Sequence, residues 1–243
     1  LTIDGIAPLR KAAGESLPLR FEKSIRGAQD ELRVTAGRVL GVHMERRQSD
    51  AGMQLARGVI ALNEPANLPE RGLLVLVALP RIDVEAWADW LGIGAEPAAP
   101  RAPGASEGEV RLDHIALRTP ELILNNRTFR NVTLGATRTD AGGYDANVVS
   151  DGAAGYIGWR PGAKGSTGGA GLGLVSARLS KLHIANNRKS DVVDVLRAPA
   201  RRLPALEVEV ENFELGDMKL GRLDVSAANV GTGNSAAWKV SRL

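Results

Sequence analysis

The chain has 243 residues, of which 44% are hydrophobic, only 4% are aromatic and 28 are glycine. This length allows one or two globular domains or one array of smaller units, and the abundant glycine favours short strands joined by turns over a helical bundle. Because the chain has no cysteine, it cannot form a disulfide, a cysteine-based zinc site or a thiol nucleophile. The net charge of +3 comes from scattered arginines, as on an ordinary solvated surface.

Both ends of the chain indicate a piece of a longer protein. Residues 1–4 begin in strand-like alternation without an initiator Met or a signal sequence, and residues 236–243 stop in the middle of an alternating strand. The longest apolar run, residues 72–79, is far shorter than the roughly 20 residues of a membrane-spanning helix. We therefore expect a fragment cut from a longer protein.

Residues 1–93 predict an N-terminal β unit that ends in a short helix. Alternating apolar residues predict strands from Leu32 to Met44, with a phase break at Gly37, and from residue 53 to 62, with a bulge at Gly58. The run at residues 71–79 is apolar on both faces, so we expect it to be covered on both sides.

The helix of this unit is predicted from a cap and an apolar stripe. Asp83 is the expected N-cap, and Val84, Trp87 and Trp90 follow at helical spacing. We expect the helix to fold back onto the apolar strand and to bury both tryptophan rings as packing residues.

A two-stranded pattern occurs twice, around residues 110–136 and 206–227. In the second copy Val208 and Val210 alternate with glutamates, and Phe213 then resumes the alternation one residue late. A shift of 91 positions superimposes six apolar residues of the two copies. They are Leu122, Leu124, Phe129, Val132, Leu134 and Ala136 on Phe213, Leu215, Leu220, Leu223, Val225 and Ala227. We interpret the phase break as a bulge that bends a sheet.

The repeats divide the rest of the chain. Residues 94–108 are predicted to be a mobile linker or loop, 109–160 the first β repeat, 161–172 a glycine-rich loop, and 173–243 the second β repeat, truncated at its C-terminus. Ser190 is expected to cap a second short helix before Pro199.

Catalytic motifs are missing from the sequence. His43, His114 and His183 are isolated within strand patterns, without metal-binding spacing, and no GxSxG elbow is present. The glycine-rich stretch at 165–173 matches no phosphate-loop motif, and no dense basic stripe with stacking aromatics suggests nucleic-acid binding. We therefore expect no enzyme activity, no cofactor, no metal and no nucleic-acid partner, and we hold a hydrolase as the least favoured alternative.

Three segments carry a resemblance to a known family. They are GLLVLVALPRID at residues 72–83 followed by Trp87, GYIGW at residues 155–159, and LPAL at residues 203–206 leading to Phe213, Gly216, Leu220, Gly221 and Leu223. Together they resemble the YhdP branch of the AsmA-like envelope proteins of Gram-negative bacteria, over most of residues 30–243. The resemblance implies a periplasmic β-structure, tethered to the inner membrane in the full-length protein, with a hydrophobic groove for passing phospholipid toward the outer membrane.

The fold class expected from the residues and the resemblance is mainly β. We expect an antiparallel, strongly twisted and curved sheet that forms an elongated open groove from repeated hairpin units, with two short helices. Phospholipid acyl chains are the expected partner, and self-association through strand edges is an additional possibility. The groove lining is predicted to consist of Leu74, Leu76, Val110, Leu112, Leu122, Leu124, Val132, Leu134, Leu206, Val208, Val210, Phe213, Leu215, Leu223 and Val225.

One alternative from a different functional class is a closed β-sandwich. In that case a second sheet covers the apolar face, and the module is a scaffold for protein–protein interaction in the cell envelope.

Overall fold

A computed structural model of the chain describes residues 9, 16–50, 52–91, 112–124, 126–162, 173–184, 204–230 and 237–242. The strands are β1 (Leu19–Arg26), β2 (Gln29–Ala36), β3 (Leu40–Ser49), β4 (Gly52–Leu62), β5 (Gly72–Ala78), β6 (Arg81–Asp83), β7 (His114–Leu124), β8 (Arg127–Arg138), β9 (Tyr144–Val149), β10 (Ala153–Arg160), β11 (Leu174–Ile184), β12 (Ala205–Leu215), β13 (Met218–Val230) and β14 (Ala237–Arg242). Helix α1 spans Val84–Leu91. The chain divides into two compact units, Leu1–Thr133 and Leu134–Leu243, with the boundary inside β8.

The sheet of the first unit is mixed. Its strands are hydrogen-bonded in the order β1-β2-β3-β4-β5-β7, and β6 also pairs with β7. Strands β1 to β4 are antiparallel, whereas the β4–β5, β5–β7 and β6–β7 pairs are parallel. The expectation of an antiparallel sheet is therefore right for most of the described strand pairs of the chain, and these parallel pairs are among the exceptions. The apolar run of β5 has a parallel partner on each side, a position in which both faces of a strand are commonly covered.

Two irregularities of the first unit differ from the sequence prediction. Gly37, with φ 55°, is part of a turn that reverses the chain between β2 and β3, so the apparent phase break is a hairpin. Gly37 N donates to Pro18 O at 2.8 Å. Gly58 pairs in register with Met44, and the bulge of the β3–β4 pair lies at Glu45 and Arg46.

Helix α1 is confirmed, together with its cap, because Ala86 N donates to Asp83 Oδ1 at 3.0 Å. Trp87 packs against a buried cluster of Leu62, Leu79 and Ile82. The prediction that both tryptophans are buried is wrong, because Trp87 is half-buried and Trp90 is exposed and meets the Trp87 ring edge-on. The second predicted helix lies outside the described residues, and α1 is the one helix within them.

The second unit contains β9 to β14, hydrogen-bonded in chain order. All neighbouring pairs of this group are antiparallel except β11–β12, which is parallel. The described part of the chain is therefore mainly β, with parallel pairs in both units.

The strand bounds show the same shift of 91 positions as the apolar residues of the sequence. Shifting β7 by 91 positions gives the bounds of β12, and in both strands the one buried residue is the sixth, Thr119 or Val210. Each of the hairpins that follow contains two residues of positive φ five positions apart. They are Asn126 (59°) and Asn131 (54°) in the first and Gly216 (58°) and Gly221 (80°) in the second.

The phase break of the second copy is a bulge that two neighbouring strands share. In β12, Val210 pairs with Leu223 and Phe213 with Gly221, so three steps on β12 oppose two on β13. In β11, the pairing with β10 shifts beside Leu179 in the same way. In β11 two exposed residues separate the buried Leu179 from the half-buried Leu182. In β12 two exposed residues separate the buried Val210 from the half-buried Phe213. The bulge thus continues from one strand to its parallel neighbour.

Candidate functional site

An apolar row crosses six strands of the first unit on one face, and we call it the open row. It consists of Phe21, Val34, Val42, Ile60, Val75 and Ile115, each paired with the next across the sheet. None of the six is buried, and Phe21 is 64% exposed. The open row is therefore a continuous apolar strip that other residues of this unit cover only in part.

A second row lies beside it on the same face, and we call it the covered row. It consists of Leu19, Ala36, Leu40, Leu62, Val77 and Leu117. Leu62 belongs to the buried cluster against which Val84 and Trp87 of α1 pack. The helix thus covers part of this row.

The same face carries charged residues on the other side of the open row, and we call Lys23, Asp30 and Arg46 the charged corner. Arg46 Nε donates to Asp30 Oδ1 at 2.8 Å, and Nη2 donates to Oδ2 at 2.5 Å. Lys23 Nζ lies 3.7 Å from Asp30 Oδ2. The hydrogen bonds from Arg46 are the main cause that holds the pKa of Asp30 below its ordinary value.

The opposite face of β2 to β4 carries paired charges. Glu31 accepts hydrogen bonds from Arg33 and contacts His43 Nε2 at 2.7 Å, and these bonds lower the pKa of Glu31. Arg57 donates two hydrogen bonds to Glu45, at 2.7 and 3.0 Å, which lower the pKa of Glu45. Because each carboxylate has a cationic or histidine partner, these groups form pairs within β2 and across strands rather than an acid–base site.

The second unit also has one apolar face. Ala177, Leu179 and Val210 form its buried cluster, and Val148 and Ile157 are among the half-buried residues packed against it. Gly155 of β10 pairs with Val148 of β9 on one side and with Leu179 of β11 on the other. A Cβ at Gly155 would lie 2.2 Å from the carbonyl oxygen of Arg178, so glycine allows the close approach of β10 and β11.

The other face of the second unit is polar and borders a cavity of about 1030 Å³. Side chains from two polar cross-strand rows contribute to its lining. They are Asp145, Ser176, Glu207 and Ser226, and Asn147, Tyr156, Arg178, Glu209 and Asp224. The lining thus carries charges of both signs, beside apolar residues that include Ile157, Val208 and Val225.

The predicted lining residues of the second unit lie mostly together. The register places Leu206, Val208, Val210, Leu223 and Val225 on the apolar face. Phe213 packs against the buried cluster of that face, Leu215 pairs with Ile184, and Leu134 lies half-buried in β8. Only Val210 of this set is enclosed, at 1% exposure.

The predicted lining residues of the first unit are dispersed. Leu74 and Leu76 lie on the face opposite the open row, paired with the buried Val59 and Ala61. The others occupy different places: Leu122 packs against the cluster of Leu62, Leu112 is half-buried, Leu124 is exposed, Val132 is buried, and Val110 lies outside the described residues. The open row was missing from the predicted lining, although the alternation of β2 and β3 in the sequence could have indicated it.

The described residues contain neither a metal-binding cluster nor a membrane-spanning helix. No group of three or more His, Asp or Glu side chains there could hold a metal ion. Within the same residues, no helix has the length and apolarity needed to cross a membrane.

The comparisons with known proteins give one match. The model of the family described as YhdP protein matches residues 4–238. No curated protein and no solved structure matches the chain. Since the match covers nearly the whole sequence, the chain belongs to the YhdP protein family.

Proposed function

We propose that the chain is a non-enzymatic lipid-binding module of a periplasmic protein that moves phospholipid between the inner and outer membranes. The observation that carries this proposal is the open row, an uninterrupted apolar strip across six hydrogen-bonded strands. Membership of the YhdP family supports a role in the cell envelope related to lipid transport. Moving phospholipid in this way would support the outer-membrane barrier.

The open row has the dimensions of an acyl chain. Neighbouring strands are about 4.8 Å apart, so the five steps from Phe21 to Ile115 span about 24 Å. Burying one methylene is worth about 0.8 kcal/mol, and a chain of about 15 methylenes that buries half of its surface gains on the order of 6 kcal/mol before losses. This is enough to retain a lipid.

The row also permits movement. Its residues are Val, Ile and Phe, which offer an acyl chain similar contacts at each step. A chain that slides by one strand exchanges like contacts for like, so transport does not require the whole binding energy to be lost at once. We also propose that the predicted lining residues of the second unit line an elongated groove and contact lipid there.

Lipid extraction and native mass spectrometry of the 243-residue chain purified from cells test the proposal. We expect bound phospholipid in the wild type and little in Val34→Asp, which places a charge at the second position of the open row. Thr35→Asp is the matched control, because Thr35 is the next residue of β2, is exposed and lies on the opposite face. This control should keep its lipid.

A second variant guards against unfolding. Phe21→Asp changes an exposed end of the open row, so it should cost little stability and still reduce lipid content. Wild-type protein that reproducibly contains no lipid would overturn the proposal. Equal retention of lipid by the wild type and both open-row variants would show that the lipid binds elsewhere, and this would also overturn the proposal.

A closed scaffold is the second candidate, and the buried cluster of the second unit favours it there. Ala177, Leu179 and Val210 are all enclosed, as in an ordinary core. A scaffold of this kind would bind protein partners without lipid, so the same extraction experiment distinguishes the two candidates.

A further inference from the structure

The charged corner adjoins the apolar strip on the same face of the first unit. In β1 the side chain of Lys23 follows Phe21 on this face, and in β3 that of Arg46 follows Met44. Asp30 lies between them, because it is the cross-strand partner of Arg46 and a diagonal neighbour of Lys23. Lys23 therefore borders the open row at its β1 end, and Leu32 and Met44 lie between the row and the Asp30–Arg46 pair.

The charges of the corner do not balance. Two cations face one carboxylate, which leaves an excess of one positive charge. The Asp30 side chain is only 7% exposed, whereas the side chains of Lys23 and Arg46 are 43% and 34% exposed. The anion is thus enclosed and the cations reach solvent.

Hydrogen-bond donors remain for a ligand. A guanidinium has five N–H groups, and Arg46 uses Nε and Nη2 to bind Asp30. The 3.7 Å between Lys23 Nζ and Asp30 Oδ2 is longer than a hydrogen bond, so Lys23 contributes its charge there without a close bond. Arg and Lys are the side chains that bind phosphate oxygens best.

We propose that Lys23 and Arg46 bind a phosphate group at the end of the open row, with Asp30 holding Arg46 in place, so that the lipid is taken with its phosphate at this corner and its chain along the row. This inference rests on the proposed function. The phosphate site adds three features to the proposed function: a polar site, a chemical class of headgroup and an orientation of the lipid on the sheet. Lys23 and Arg46 contact the ligand, and Asp30 is a positioning residue.

Single-chain amphiphiles test this inference on the full 243-residue chain. Dodecyl phosphate, dodecyl maltoside and inorganic phosphate are titrated by calorimetry, the amphiphiles below the concentration at which they form micelles. We expect the wild type to bind dodecyl phosphate more tightly than dodecyl maltoside. Inorganic phosphate alone should bind far more weakly, because it lacks the apolar chain.

Lys23→Gln is the decisive variant, since it leaves the Asp30–Arg46 pair intact. We expect it to weaken dodecyl phosphate by about three- to fivefold and to leave dodecyl maltoside unchanged. Arg20→Gln is the matched control, because this substitution also removes one positive charge from β1, but on the opposite face of the strand. The double variant Asp30→Asn with Arg46→Gln removes the pair without leaving an unpaired buried charge, and it should weaken dodecyl phosphate further.

The outcomes separate this inference from the proposed function. Equal binding of both amphiphiles with no effect of Lys23→Gln would overturn the phosphate site and leave the apolar row standing. Failure of both amphiphiles to bind would overturn the lipid-binding function and the phosphate site with it. Inorganic phosphate that binds as tightly as dodecyl phosphate, and depends on Lys23, would indicate a site for free phosphate and overturn the headgroup assignment.

Discussion

The carboxylate of Asp113 fills the space beside Gly72 that any larger residue would need. A Cβ at Gly72 would lie 2.5 Å from Asp113 Oδ2, and Gly72 has a φ of +71°. The same oxygen accepts a hydrogen bond from Leu73 N at 2.8 Å, and Asp113 N donates to Leu73 O at 3.0 Å. Glycine and aspartate together therefore fix the start of β5 beside β7, where the parallel pairing begins.

Gly72→Ala should lower the free energy of unfolding by about 2–4 kcal/mol, because it adds backbone strain and displaces the Asp113 carboxylate from Leu73 N. Gly27→Ala is the matched control, since Gly27 also has a positive φ but has open space around its Cβ position. The control should lose only about 1–2 kcal/mol. Urea denaturation measures both, and equal losses would show that the contact with Asp113 is unimportant.

The Asp30–Arg46 pair should make stability depend on pH. Because hydrogen bonds from Arg46 hold the pKa of Asp30 below 3.8, the pair stabilises the fold fully at neutral pH. This contribution should be lost as the pH falls through 3.8 toward the lowered pKa of the folded state. The difference in unfolding free energy between wild type and Asp30→Asn, measured along this range, isolates it. A difference that stays constant down to the lowest pH would contradict the assignment.

The strands and the repeat could be predicted because their signals are local. Alternation of side chains along one strand predicts β12, and the delayed Phe213 predicts its bulge, without knowledge of any neighbour. Asp83 similarly predicts the cap of α1 from its position before an apolar stripe. These features appear in the structure with the expected residues.

Partners and faces could not be predicted in the same way. Leu74 and Leu76 alternate with Leu73, Val75 and Val77, and β5 is apolar on both faces, so its sequence does not indicate which set continues the open row. Pairing with Ile60 and Ile115 assigns Val75 to it. The charged corner depends on three strands at once and has no signal in any one of them.

Deleting the bulge residue Asn212 should lower the free energy of unfolding more than removing the hydrogen bond of its side chain. Asn212 Nδ2 donates to Ser180 O at 2.9 Å, so Asn212→Ala should lose about 1 kcal/mol. Deleting Asn212 removes the bulge from β12 but not from its parallel neighbour β11, so Phe213 and Leu215 can no longer keep their pairing with Leu182 and Ile184. Each then loses part of a burial worth roughly 1.5–3 kcal/mol. Urea denaturation of both variants compares the two costs. A deletion as mild as the substitution would mean that the strand can slip its register freely.

Val210 and Val225 distinguish core from accessible surface on the apolar face of the second unit. Val210 is 1% exposed and Val225 is half-buried. Val210→Ala should therefore lower the free energy of unfolding by about 2–3 kcal/mol, and Val225→Ala by about 1 kcal/mol or less. If lipid reaches this face, Val225→Ala should also reduce the lipid content of purified protein while its thermal stability is kept. Val210→Ala with an unchanged stability and a reduced lipid content would instead show that the enclosed cluster opens to lipid, because an ordinary core residue cannot be truncated without cost.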